Sequence, residues 1–426
     1  MLRALRHRNF QLFFSGQLIS LIGTWMQSIA QSWLVYRLTG SPVLLGAVGF
    51  AGQIPVFLLA PIGGALADRH HHRRIVIVTQ TSAMVLALIL AALTLTGTVQ
   101  VWHVLVLSSL LGVVNAFDIP TRQSFLVEMV GREDLMNAIA LNSSMFNGAR
   151  VIGPAVAGIL VSTIGEGWCF FANGVSYLAV IAGLSMMRLG PRPRPDRTAS
   201  TLENVLEGFR YVRRTTPIRA LLLLVGLVSL VGMPYTVLMP LFADAILHGG
   251  ARGLGVLMGA TGVGALLGAL IVASRPGLRG LGKVTAAAAA GFGVCLMLFA
   301  FSRWFWFSVA VLVPTGLCMM LQMACTNTLI QSMVPDRLRG RVMAVYSMMF
   351  MGMAPFGALF AGVVAGHLGA PLTVGLGAVG CLLGAAVFAR HLPGLRGEAL
   401  RLILAQGMVG GESPEEMTTR GITTEE

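Results

Sequence analysis

Apolar residues in this chain of 426 come in long continuous runs, not in the alternation of a half-buried strand. The runs cover roughly 10–36, 42–67, 75–96, 100–121, 137–163, 167–187, 217–243, 253–273, 284–302, 304–329, 342–366 and 371–390. Each is close to or above the ~20 residues that a helix needs to cross a bilayer. The first run follows Arg3, Arg6 and Arg8, as the apolar part of a secretory signal would. It is too long for one, is broken by Gln17, Gln27 and Gln31, and is followed by further runs, so it is expected to stay as the first helix. The weakest separation lies between the ninth and tenth runs, where Ser302 and Arg303 alone interrupt. The pattern predicts an all-α integral membrane protein with twelve transmembrane helices.

Composition removes the alternatives. Hydrophobic residues make up 55% and charged residues 11%, against ~25% charged in an ordinary soluble domain, and mean hydropathy is +0.79. So little charge cannot cover a soluble protein of this length, which excludes a soluble enzyme and a disordered chain. The net charge of +13 does not point to nucleic acid, because its distribution has another cause. If the N-terminus is cytoplasmic, 26 of the 30 Lys and Arg fall on the cytoplasmic side. Arg37, Arg252 and Arg303 fall outside, and Arg150 lies within a span. That asymmetry is the positive-inside pattern. It puts both termini in the cytoplasm and supports the count of twelve. Nearly all basic residues are Arg, as in a GC-rich bacterial gene, so the expected location is a bacterial cytoplasmic membrane.

The longest break, 189–216, opens with Gly190-Pro191-Arg192-Pro193-Arg194-Pro195, a stiff extended stretch. Leu202, Val205, Leu206, Phe209 and Val212 follow at helical spacing with charge between them. This predicts an amphipathic helix on the membrane surface. The chain then divides into a first half (1–188), a cytoplasmic linker (189–216), a second half (217–391) and a tail (392–426). The tail ends polar and acidic, with Glu412, Glu415, Glu416, Glu425 and Glu426, and is expected to be disordered. A shift of 204 residues superposes the halves without a gap. Gly148 falls on Gly352, Gly153 on Gly357, Gly158 on Gly362, and Gly64-Ala65-Leu66 on Gly268-Ala269-Leu270. Two six-span repeats of one topology are the build of a secondary transporter, with its site at the midplane between them.

Cys169, Cys295, Cys318, Cys325 and Cys381 all lie in apolar runs, with no CxxC pair and no histidine at ligand spacing. Neither disulfides nor a metal site is expected. Adjacent histidines at 70–72 point in different directions and do not change that.

Two motifs carry a family resemblance. Gly64-Ala65-Leu66-Ala67-Asp68-Arg69-His70-His71-His72-Arg73-Arg74 joins the second and third spans. It resembles the G-x-x-x-D-R-x-x-R-R loop of the major facilitator superfamily, with His71 where that loop often has glycine. Gly148-Ala149-Arg150-Val151-Ile152-Gly153-Pro154-Ala155-Val156-Ala157-Gly158, in the fifth span, resembles the antiporter motif of exporters in that superfamily. Ala149 and Ala157 stand where the full motif often has glycine. Pro154 bends the helix and frees a carbonyl. Arg8-Asn9-Phe10-Gln11-Leu12-Phe13, Gly23-Thr24-Trp25-Met26-Gln27, Asp118-Ile119-Pro120-Thr121-Arg122 and Val334-Pro335-Asp336-Arg337 complete a likeness to the branch of enterobactin exporters and macrolide efflux proteins. The resemblance implies the major facilitator fold, with spans one, four, seven and ten around a cavity. It makes Gly64, Asp68, Arg69 and Arg73 a cytoplasmic gate, with Gly64 packing closely against a neighbouring helix. Asp68 would cap a helix or pair with an arginine such as Arg122. It makes Arg150, Gly153, Pro154 and Gly158 the antiporter-like segment. On the residues alone, the first motif also reads as a basic loop obeying positive-inside, and the second as a set of helix-packing glycines. The second half lacks the gate motif, with Val272 in the place of Asp68.

Polar residues inside spans are functional candidates. Gln17, Ser20, Thr24, Gln27 and Gln31 step by 3 or 4 along one face of the first span. Asn115 in the fourth span, Thr236 in the seventh, and Gln322 and Thr326 in the tenth extend the set. They read either as cavity lining or as polar contacts between helices. The acids within spans are Asp118 and, at an outer end, Asp244. Asp118 is the first candidate for carrying a coupled proton, Asp244 the second. Asp118 and Arg122, one turn apart, also read as a structural ion pair.

The expected function is a secondary exporter of small amphipathic molecules, drug-like or siderophore-like, driven by proton antiport. The expected partners are a small-molecule substrate, protons and the lipid bilayer, with no nucleic acid and no cofactor, and the chain is expected to be a monomer. An importer or facilitator of the same fold is the first alternative. An integral membrane enzyme is the second, but HxxHH, G-x-S-x-G and HExxH motifs are absent. A P-loop is absent too, and Lys283 is the sole lysine, so ATP is not the energy source within this chain.

Overall fold

The computed structural model describes residues 3–131, 133–188, 201–274, 277–278 and 280–409, without the side chains of 68, 201–205 and 407–409. The spans in chain order are Arg8–Thr39, Pro42–Arg69, His72–Leu95, Val101–Val130, Leu135–Ile164 and Glu166–Ser185. Then come Thr216–Ile246, Gly250–Ser274, Leu281–Phe301, Phe305–Met333, Asp336–Leu368 and Ala370–Val409. The first is long enough at 32 residues, but its polar stripe makes it the least apolar of the twelve. The first turn is built as tightly as the sequence allows. Gly40 ends the first helix at φ 59°, a left-handed conformation that favours glycine. Ser41 accepts from the Leu44 amide to cap the second helix, and Pro42 supplies its first residue.

The 204-residue repeat reappears in the packing. In the first half the first span packs on the fifth and sixth, the second on the fourth, and the third on the fourth and sixth. In the second half the seventh span packs on the eleventh and twelfth, the eighth on the tenth, and the ninth on the tenth and twelfth. The halves meet along two seams, fifth span on eighth and second on eleventh. These seams exchange under the repeat, so the molecule has pseudo-twofold symmetry.

Both seams are backbone contacts. A methyl built on Gly158 would lie 3.0 Å from the Gly255 Cα, and one on Gly46 would lie 2.5 Å from the Ala358 carbonyl oxygen and 3.0 Å from the Gly362 Cα. Gly158 and Gly362 are the repeat pair already visible in the sequence. Lipid provides no hydrophobic force between helices, so close van der Waals contact between small residues must hold the halves together. Along the second seam, contact continues through Phe50 and Phe57 against Phe356 to Gly352. Past that point the second span exposes Leu58 and Ile62, and the corresponding part of the fifth exposes Met136, Ile139 and Phe146. The seams therefore run from the end that holds the Gly40 turn to about midlength.

Three features differ from expectation. The seventh span is a broken helix: Thr216–Leu227, a π segment Val228–Gly232, a 3-10 turn Met233–Thr236, Met239–Leu241 and a second π segment Phe242–Ile246. Gly232, Pro234 and Pro240 break the i→i−4 ladder there. The twelfth helix continues to Val409, where disorder was expected from 392, because Leu395, Leu402 and Ile403 pack against the core. Residues 410–426 lie outside the described residues. The amphipathic helix Thr201–Arg214 docks on the start of the eleventh span, and so does not simply lie on the bilayer surface. Arg341 pairs with Glu207, and a methyl on Gly208 would lie 2.7 Å from the Arg341 carbonyl oxygen.

The seam makes a contrast on one helix. Gly158→Val forces backbone atoms apart and should cost roughly 1–3 kcal/mol. Gly148→Val enters open space and should be tolerated. Thermal unfolding of the purified protein, followed by a thiol-reactive dye, should show a clear drop for the first variant and little change for the second.

Candidate functional site

Arg150 stands at the middle of the fifth span, within Leu135–Ile164. Pro154, four residues on, removes the amide that would have bonded the Arg150 carbonyl. A methyl on Gly262 of the eighth span would lie 2.9 Å from that oxygen, so the second half's backbone packs against the freed group. Gly153 faces the other way: a methyl there would strike Trp25 Cβ at 2.4 Å. Gly158 closes the seam. Of the antiporter-like segment, Gly153 thus seats the first span, while Pro154 and Gly158 seat the eighth. The Arg150 guanidinium lies 5.7 Å from the centroid of the Trp25 ring and 3.9 Å from Met319 Sδ on the tenth span. It is partly accessible. Spans from both halves therefore meet at this cation. Tyr235, buried where the seventh span breaks, lies within its electrostatic reach.

The polar stripes divide between the two readings. Gln27 Oε1 accepts from Asn173 Nδ2 at 2.7 Å, binding the first span to the sixth within one half. Gln31 Nε2 donates to Ser108 Oγ at 2.8 Å and ties the first span to the fourth. Thr24 is exposed and donates to its own helix at Ser20. Thr236 likewise bonds the Met233 carbonyl, and Asn115 is half-buried. Gln322 and Thr326 behave differently. They are 1% and 0% exposed, yet both amide atoms of Gln322 and the hydroxyl of Thr326 lack a partner among the described residues.

The two acids have opposite settings. Asp118 is 2% exposed. Its Oδ1 accepts from Thr79 Oγ1 at 2.7 Å and Gln80 Nε2 at 3.0 Å, and its Oδ2 lies 2.6 Å from Arg122 Nε. Thr79 and Gln80 belong to the third span, so this carboxylate is committed to the interior of the first half. Asp244 is half-buried and accepts from Tyr36 Oη at 2.9 Å. That bond joins the first span to the seventh and thus crosses between halves at the closed end. The sequence reading missed Tyr36. Its only signal was a polar-tipped ring at the end of the first span.

In the gate motif, the expected close approach belongs to the neighbouring glycine. A methyl on Gly63 would lie 2.1 Å from the Ala116 carbonyl oxygen, whereas Gly64 meets nothing within 4 Å. The two glycines point about 100° apart on the helix, and the contacting face falls on Gly63. The Asp68 side chain lies outside the described residues. Arg69 is exposed. Arg73 donates to the Ser185 and Met187 carbonyls at 2.7 and 3.3 Å, capping the sixth span's C-terminal end. Arg122 is held by Asp118.

Comparison with known proteins agrees with this architecture. The family model described as transmembrane secretion effector (MFS_3) matches residues 1–403. The multidrug efflux pump Tap of Mycolicibacterium fortuitum is 28% identical over 393 residues, covering 88% of this chain and 93% of that protein. The enterobactin exporter EntS of Escherichia coli is 24% identical over 421 residues, covering 97% and 95%. Among solved structures, a bacterial homologue of the lysosomal transporter Spinster, inward-facing and unoccupied, superposes with a TM-score of 0.66 at 15% identity, over 94% of this chain and 98% of that one. The enzyme alternative falls away: these relatives are transporters, and this chain is a multi-pass membrane transporter of the MFS_3 family within the major facilitator superfamily.

Proposed function

We propose that this transporter exports small amphipathic molecules across a bacterial cytoplasmic membrane by alternating access, driven by proton exchange. The observation that carries the reading is the one-ended seam. The halves 1–188 and 217–391 touch backbone to backbone from the Gly40 end to midlength and part beyond it. The loop pattern of the sequence assigns 26 of the 30 basic residues to one side, and positive-inside makes that side, and with it the parted end, cytoplasmic. Cargo then enters from the cytoplasm and reaches the midplane near Arg150. Rocking about the seams delivers it outside. Export, rather than import, is supported by the antiporter-like segment at the seam and by the efflux and exporter relatives.

Energised everted membrane vesicles should accumulate an amphipathic fluorescent acid such as fluorescein, and dissipating the pH gradient with nigericin should release it. Accumulation that survives nigericin would point to another coupling ion. Dye movement only down its gradient would favour a facilitator.

Of the two acids, Asp244 suits the coupling role better. It is partly accessible, and its bond to Tyr36 crosses between halves that must separate. Asp118 is enclosed, and removing its charge would leave the half-buried Arg122 without its carboxylate, at a cost of roughly 1–3 kcal/mol. Asp244→Asn should therefore abolish uphill efflux in proteoliposomes while leaving downhill exchange intact. Asp118→Asn should lower the unfolding temperature and reduce both. If Asp118→Asn instead leaves stability and exchange unchanged but stops uphill efflux, the coupling proton rides on Asp118.

A further inference from the structure

We infer that the midplane around Arg150 is a binding site for an organic oxyanion, so that the exported molecule carries a carboxylate or a comparable acidic group. The inference rests on the export reading for the direction of movement but not for the binding.

The first ground is an uncompensated charge. A guanidinium keeps its proton in proteins, and a charge at mid-bilayer depth is costly unless something answers it. Among the described residues, no carboxylate pairs with Arg150. The acids that make ion pairs are engaged elsewhere: Glu166 with Arg37, Asp118 with Arg122, Asp134 with His7, Glu128 with His72, Glu207 with Arg341 and Asp336 with Arg339. Among the described residues, Arg150 touches the Trp25 ring face and a thioether sulfur, with the Tyr235 phenol within electrostatic reach. None of these is an anion, and most of its five donors are left for another partner.

The second ground is independent of charge. Gln322 lies one helical turn beyond Met319, the residue that touches the guanidinium, and Thr326 lies one turn further on the same face. Both are enclosed and, among the described residues, both are without partners. A buried unsatisfied polar group costs roughly 1–3 kcal/mol, so two of them following Met319 along the tenth span are not a packing device.

The third ground is position. Arg150, Trp25 and Met319 each stand near the midpoint of their helices, Leu135–Ile164, Arg8–Thr39 and Phe305–Met333. They meet where the two halves touch, so a ligand held there contacts both. The repeat supplies an internal control. The residue equivalent to Arg150 is Ala354, so the packing of this helix does not itself demand arginine. Arginine also matches a carboxylate in a two-point fork, and the indole beside it offers an apolar face to the rest of an amphipathic molecule.

The test uses the full-length protein in detergent and matched probes. Salicylate carries a carboxylate, and salicylamide is its uncharged counterpart. Citrate and 2,3-dihydroxybenzoate widen the carboxylate set. Binding is read by quenching of tryptophan fluorescence, to which Trp25 contributes, and by the shift in unfolding temperature. We expect at least one carboxylate to bind, salicylamide to bind no better than the blank, and Arg150→Gln to weaken carboxylate binding by about tenfold or more. Arg150→Lys should retain part of it, since it keeps the charge and loses the fork. Gln322→Leu removes the two orphaned atoms, should fold at least as well as wild type, and should weaken binding a few-fold. The inference is overturned if none of the carboxylates binds, if salicylamide binds as well as salicylate, or if Arg150→Gln and Gln322→Leu bind as wild type does. Vesicle transport separates this from the export reading. Arg150-dependent binding without outward movement retains the site and removes export. Outward movement of fluorescein without Arg150-dependent binding does the reverse.

Discussion

Contact between bare backbones at Gly158–Gly255 and Gly46–Gly362 is the constraint on which the rest of this molecule depends. In water, two helix bundles would be driven together by their apolar faces. In lipid that force is gone, and attraction depends on how closely atoms approach. Glycine allows the closest approach, and it also leaves no side chain to interlock. A seam of this kind holds firmly against separation yet offers little resistance to rolling. It brings the freed Arg150 carbonyl against Gly262, and the guanidinium of the same residue to the meeting point of both halves. The Tyr36–Asp244 bond adds a directional contact beside one seam. Unlike the glycines, it is either made or broken, so it marks a discrete state of the closed end.

The scaffold is symmetric and its chemistry is not. Spans pair in the same order in each half, and Gly153 and Gly357 each press on the backbone of the leading span of their half. Yet Ala354 stands where Arg150 does, and Val272 where Asp68 does. The seventh span is broken by two π segments while its counterpart, the first, is continuous from Arg8 to Thr39. Mechanical duties are shared between the halves. The intramembrane arginine and the gate motif sit in the first half, and helix irregularity and Asp244 in the second.

Much of this was legible from residue order. Helices in lipid must be long and apolar, which made the twelve spans visible. The repeat was legible because Gly158 and Gly362 have equivalent neighbours and so face the same selection for small size. Side-chain destinations were not. Gln27 and Gln31 share a stripe, but a period of 3 or 4 names a face without naming what lies opposite, and Asn173 and Ser108 are far away in sequence. Adjacent glycines at 63 and 64 are indistinguishable until the helix's rotation is known. The break in the seventh span had its signals in Gly232, Pro234 and Pro240, but a hydropathy run averages over them. The helical extension beyond 392 was hidden because its apolar residues are sparse and find their partners only in three dimensions.

The docked helix Thr201–Arg214 changes how the halves are leashed. Had the whole linker been loose, its tether would have run from Arg188 to Thr216. Anchoring at Glu207, Gly208 and Arg341 fastens that helix to the eleventh span. The second half therefore begins, mechanically, with the docked helix and not at Thr216, and any displacement of the eleventh span's first turns carries the helix with it.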